Sequence, residues 1–127
     1  GRAHLVRAAL ESMAYQVSDV ARIMSQESGV ALTELRADGG AVANDFLMQF
    51  QADLLGVPVV VPPISETTAF GAAALAGLSA GLWADSQELQ SCQACRRSYE
   101  AVMPRQQADH LLQRWAAAVD LSRGWAR

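Results

Sequence analysis

Cysteine is scarce: two occur among 127 residues. Cys92 and Cys95 make a lone C-x-x-C inside a polar connector, Gln87 to Ser98. Structural zinc takes four ligands, and there is no second pair; His4 and His110 lie far off along the chain. A thioredoxin-type pair follows a strand at a helix start, which this pair does not. The spacing is read as coincidental, with redox chemistry second, and no metal ligand is assigned. Long apolar runs are missing as well, none nearing the ~20 residues of a membrane helix. No signal-peptide pattern opens the chain, and its abrupt start inside a periodic segment is expected of an excised fragment. Basic excess is absent: 10 Lys and Arg face 13 Asp and Glu, for a net charge of −3, and the basic residues are scattered. That pattern argues against a nucleic-acid surface. A cytoplasmic protein is expected, with neither membrane nor nucleic acid among its partners.

What is present suits a packed core. Hydrophobic residues make up 51% of the chain, and a single domain or a piece of one fits the length. From about His4 to Glu27 the apolar residues Val6, Leu10, Met13, Val17, Val20 and Met24 recur at helical steps, predicting an amphipathic helix whose stripe is core. Gly29 fits its end. Ala31 to Asp38 reads as a first strand. A second helix follows with Phe46, Leu47, Phe50, Leu54 and Leu55 inward, closed by Gly56. Val57 to Val61 is β-branched and almost wholly apolar, as a strand covered on both faces should be. Ser65 is a plausible N-cap for a third helix rich in small residues, closed by Gly81-Leu82-Trp83. In it Gly71 calls for a reason, because glycine costs about 1 kcal/mol in a helix interior relative to alanine; close approach by another backbone is expected. Arg97 to Met103 reads as a short strand or extended segment. Pro104 opens a last helix with Ala108, Leu111, Leu112, Trp115, Ala118, Val119 and Leu121 on its apolar face. Strands alternating with helices predict an α/β fold with two parallel strands and crossover helices.

The chain is organised around Leu35 to Leu47, a strand, a diglycine turn and a helix start. Gly39 and Gly40 allow positive φ and close approach of a ligand to the backbone. The helix that follows offers unpaired N–H groups and the positive end of its dipole, which suits an anion. Asn44, four residues after Gly40, is expected one turn into that helix, with its amide able to donate to and accept from a nucleobase or ribose. Asp38 stands at the carboxyl end of the first strand, where open α/β sheets place ligands. A plain connector is the alternative for such a turn taken alone. A dinucleotide-binding fold ranks third, since no G-x-G-x-x-G follows the strand.

Several runs carry a family resemblance. His4 to Glu11 resembles the end of the second signature of the FGGY carbohydrate kinases. Leu35 to Asn44 resembles the adenosine motif of the actin/hexokinase/Hsp70-type ATPases, and Glu66 to Ala73 their second connecting helix. Ala8 to Gln16 and Asn44 to Gln51 are similar to the glycerol kinase branch of the family, as is, less sharply, Arg97 to Pro104. Ala37 and Phe70 depart mildly from the pattern. The resemblance implies that residues 1–127 are the C-terminal segment of the second actin-like (ribonuclease H-like) domain, the nucleotide-binding half. It implies part of an enzyme that uses ATP and Mg²⁺ to phosphorylate glycerol. By the resemblance Gly40 and Asn44 contact the nucleotide and Gly39 shapes the turn. Asp38 lies on the phosphate and Mg²⁺ side, and Gly71 and Ala72 belong to a hinge-side helix.

The family's phosphate loop, polyol pocket and catalytic aspartate have no counterpart among these residues, so no catalytic residue is assigned. The chain alone is expected to be inactive. Its expected partners are ATP or ADP, the upstream domain of the same kinase, and a second copy in a homo-oligomer. Another FGGY sugar kinase, such as a xylulokinase or gluconokinase, is the near alternative. A non-catalytic oligomerisation or interaction module is the alternative of a different class.

Overall fold

A computed structural model describes residues 1–64, 66–85, 87–88 and 97–123. In chain order these form α1 (Arg2–Ser28), β1 (Leu35–Arg36), a 3₁₀ turn (Gly40–Ala43), α2 (Asp45–Leu55), β2 (Val59–Val61), α3 (Thr67–Ser79), β3 (Arg97–Tyr99) and α4 (Arg105–Arg123). Ser65, Cys92 and Cys95, to which the sequence assigned a cap and a chance pairing, lie outside the described residues.

The sheet has three strands in the order β1-β2-β3, one more than the two parallel strands expected. β1 runs parallel to β2, with Leu35 opposite Val59 and Arg36 opposite Val60. β3 is antiparallel to β2, pairing Tyr99 with Val59 and Arg97 with Val61. The segment that sequence left as strand or extended chain thus closes one side of β2. The expected first strand, Ala31 to Asp38, contracts to two residues. Its ladder reaches only as far as Leu35 N–H on Pro58 and Ala37 N–H on Val60.

The core lies on one face of this sheet. Ala14 and Tyr15 of α1, five α2 residues including Phe50 and Leu54, and Val59 and Val61 of β2 are buried together, with Val42 of the turn. Tyr15 packs edge-on to Phe50, with ring centroids 5.6 Å apart. Val60 points to the other face and is also buried, so β2 is covered on both sides as its composition foretold. Asp53 is buried in the core's margin and ties β3's far end to α2. Its Oδ1 accepts from the backbone N–H of Val102 (2.8 Å) and Met103 (3.0 Å) and from Gln49 Nε2 (3.1 Å).

Gly29 and Gly56 close α1 and α2 in the left-handed conformation, as expected. The α1 stripe corrects the sequence reading. Val6, Met13, Val17, Val20 and Met24 are exposed, and the buried face is Ala14, Tyr15 and Ser18. Those three share the side toward α2, where Gln51 Nε2 donates to Ser18 Oγ and to the Ala14 carbonyl, both at 3.3 Å. A stripe at helical spacing reports that a helix has an apolar face, not which neighbour covers it. α3 behaves alike: its residues are small and apolar all round, yet only Ala74 and Gly77 are buried.

Candidate functional site

The site is built at the carboxyl ends of β1 and β2, where the chain turns from β1 into α2. Gly39 takes φ 82° and ψ −174°, a region open in practice to glycine alone. The chain then winds through the 3₁₀ turn, with Val42 N–H on the Gly39 carbonyl at 3.3 Å and Asn44 N–H on Ala41 at 3.1 Å. Asn44 is not one turn into the helix. It is the N-cap of α2, its Oδ1 accepting from Leu47 N–H at 3.0 Å. The 3₁₀ turn takes up residues 40–43, which sequence counted as helix, and α2 begins only at Asp45. The cap uses the amide oxygen, and the Nδ2 donor pair has no hydrogen-bond partner among the described residues.

Gly40 differs from Gly39. Its φ is not positive, and a Cβ built on it meets nothing within 4 Å. Neither backbone torsion nor internal packing demands glycine there.

Asp38 faces α3. A groove of about 480 Å³ is lined by Arg36, Asp38, Val60, Pro62, Thr67 and Gly71, among others. Thr67, in the first turn of α3, donates its hydroxyl to Asp38 Oδ2. Gly71 lies one turn further along and lines the same groove, whereas Ala72 is exposed and does not line it. The close backbone approach expected at Gly71 is absent among the described residues: a Cβ there meets nothing within 4 Å. Gly77 is the α3 glycine that packing requires, since a Cβ on it would lie 2.1 Å from the Trp83 ring.

Asn44 opens on a second hollow, of about 660 Å³, between the starts of α1 and α2, lined also by Arg2, Val6, Arg7, Leu10 and Phe46. The Arg7 guanidinium stands 5.3 Å from the centre of the Phe46 ring. Asp38 and Asn44, on either side of the turn, thus line different hollows: a mixed polar and apolar one beside α3, and an apolar one edged by Arg2 and Arg7. Sequence reasoning placed Thr67 in the connecting-helix run but gave it no role beside Asp38. It also missed the hollow, whose walls come from helices about forty residues apart. Among the described residues no cluster of three or more His, Cys, Asp or Glu is placed to hold a metal ion, and no helix is long and apolar enough to cross a membrane.

The C-terminal domain of the FGGY family of carbohydrate kinases matches residues 1–80. The chain belongs to that family. The glycerol kinase of Pseudothermotoga lettingae is 56% identical over 124 residues, covering 98% of this chain and 25% of that protein. The glycerol kinase of Symbiobacterium thermophilum is 52% identical over 126 residues, 99% of this chain and again 25% of the relative. Among solved structures, Plasmodium falciparum glycerol kinase with ADP superposes with a TM-score of 0.83 at 30% identity, over 94% of this chain and 24% of that one. Xylulose kinase from Rhodospirillum rubrum gives a TM-score of 0.68 at 25% identity, covering all of this chain and 26% of that one. The FGGY chain thus has the actin-like ATPase fold that its sequence resembled, and it spans about a quarter of the length of the curated relatives it matches.

Proposed function

We propose that this chain is the adenosine-side part of the nucleotide site of an ATP-dependent glycerol kinase, which converts ATP and glycerol to ADP and glycerol 3-phosphate. The observation that carries it is the open backbone at Gly40, a glycine that the fold itself does not need, near an N-cap asparagine whose donor pair has no partner among the described residues. Gly39 gives the turn its shape, Gly40 lets the nucleotide lie against the main chain, and Asn44 Nδ2 donates to the base or ribose. The apolar hollow beside Asn44 takes the purine. The likeness to a glycerol kinase solved with ADP supports the ligand, and identities above half to two glycerol kinases support the polyol.

Asp38 and Thr67 stand on the phosphate side. Mg²⁺ in phosphoryl-transfer sites is held by one or two carboxylates, water and the phosphates themselves. Asp38 with the Thr67 hydroxyl fits the protein's share of such a set, and the ion there would offset phosphate charge. Gly71 keeps the α3 wall of the groove free of side chain, and the exposed Ala72 beside it belongs to the part of α3 that meets the other domain. The exposed faces of α1 and α3 are the contact with the upstream domain of the same cytoplasmic kinase. A sugar in place of glycerol is the second reading, favoured by the fit to xylulose kinase.

The test uses Asn44→Asp in the full-length kinase. Aspartate caps a helix as well as asparagine does, so the fold holds while the Nδ2 donors vanish. ADP affinity should fall and glycerol affinity should not. Unchanged ADP affinity would remove Asn44 from the site.

A further inference from the structure

β3 does more than close the sheet. Arg97, opposite Val61 at the start of β3, reaches across to the diglycine turn. Its Nη2 donates to the Val42 carbonyl at 3.1 Å and its Nη1 to Asp45 Oδ1 at 3.2 Å. Tyr99, two residues on and on the same side of the strand, donates its hydroxyl to the same Asp45 oxygen at 2.6 Å and accepts from Arg97 Nη1 at 3.3 Å. Val42 and Asp45 flank Asn44, one two residues before it and the other directly after. The two β3 side chains therefore grip the turn on both sides of the residue that faces the ligand.

Electrostatics adds a second effect. Asp45 is the only acidic residue in the first turn of α2, favourable for the helix but repulsive to a polyanion bound nearby. The Arg97 guanidinium neutralises it at contact distance.

We propose that Arg97 and Tyr99 are positioning residues for nucleotide binding, holding the Val42–Asp45 backbone so that Gly40 and Asn44 present their groups in register. The proposal rests on the nucleotide assignment above and concerns affinity for ATP and ADP, not the phosphoryl-transfer step itself. It gives the antiparallel strand a role that no local motif in residues 97–99 announces.

The experiment is ADP calorimetry on the full-length kinase carrying Arg97→Met, Arg97→Lys, Tyr99→Phe, Asp45→Asn, Asn44→Asp, or Arg97→Met with Asp45→Asn. The pair is exposed, so the effect is moderate: Arg97→Met should weaken ADP about three- to tenfold, and Tyr99→Phe less. Glycerol affinity should stay constant, and in steady state the loss should fall on KM for ATP. Arg97→Lys should recover only part of the affinity, because an ammonium cannot span Val42 and Asp45 as the fork does. Arg97→Met combined with Asp45→Asn should lose less than the two single changes added, since both break one contact. ADP affinity within twofold of wild type in Arg97→Met, alongside a clear loss in Asn44→Asp, would overturn the clamp and leave the nucleotide site standing. No change in either would overturn the nucleotide site and the clamp with it. Where Arg97→Met does not fold, Tyr99→Phe, which removes one oxygen, gives the same comparison.

Discussion

The Trp115 and Tyr15 rings stack nearly parallel, 9° apart in plane and 5.1 Å between centroids. The contact joins the last helix to the first across a hundred residues, and Trp115 Nε1 secures it by donating to Asp19 at 2.8 Å. Trp115→Phe keeps a ring on Tyr15 and loses the hydrogen bond, at a cost of about 0.5–1.5 kcal/mol. Trp115→Ala loses both, and about 2–4 kcal/mol is expected for this half-buried ring. Urea midpoints of the two variants should rank in that order.

Gly39 and Gly40 should respond oppositely to alanine. Gly39→Ala forces a side chain onto φ 82° and should cost about 1–3 kcal/mol. Gly40→Ala meets open space and should change stability by no more than about 0.5 kcal/mol, while weakening ADP in the full-length protein. Thermal melts and ADP titrations on the same two variants separate the outcomes; equal destabilisation would contradict them.

The α3 glycines give a second contrast. Gly77→Ala drives a methyl group into Trp83 and should destabilise by about 1–3 kcal/mol. Gly71→Ala replaces a helix-interior glycine facing the groove, and should stabilise α3 by about 0.5–1 kcal/mol. Gly71→Val puts a larger group in that groove and should lower turnover in the full-length kinase. Full activity in that variant would remove Gly71 from the working groove.

Both tyrosines should ionise above the ordinary phenol value of 10.0: Tyr99 because its hydroxyl donates to the Asp45 carboxylate, Tyr15 because burial and then Glu11 disfavour its anion. A folded-state value raised in this way means that the stabilisation is complete below pH 10.0 and is lost as pH climbs past the folded value. In an alkaline absorbance titration of this two-tyrosine chain, Asp45→Asn should bring one component down and leave the other in place. Two unmoved components would break the Tyr99–Asp45 link.

The chain alone should self-associate and lack kinase activity. β1 is an edge strand whose outer groups have no partner among the described residues, and such edges recruit other chains. Val6, Met13, Val17, Val20 and Met24 add an exposed apolar stripe. Sedimentation over a dilution series should show dissociating oligomers, and a monomer at every concentration would count against this surface.

Local chemistry made much of this legible in sequence. Val59 to Val61 announced a strand covered twice, Gly29 and Gly56 announced helix ends, and the Asp38 to Asn44 run announced the turn. What escaped depends on distant partners. The stripe on α1 was readable, but its burial was not, because periodicity does not name a neighbour. Asn44 was placed inside the helix because a 3₁₀ turn of small residues leaves no pattern of its own. Thr67 and Arg97 meet their partners 29 and 52 residues away, a separation at which no spacing rule speaks.

Synthesis runs from the amino end, and the clamp on the turn comes late. Asp45 leaves the ribosome 52 residues before Arg97. At ~5–20 residues per second that is a wait of roughly 3–10 s. During it the turn has its own cap but neither Arg97 nor Tyr99, and Asp53 lacks both backbone donors from residues 102 and 103. A nascent chain halted before residue 97 would carry every glycine of the turn and still hold it loosely. The side-chain hold on residues 42–45 is thus in place only once residues 97–99 have been made.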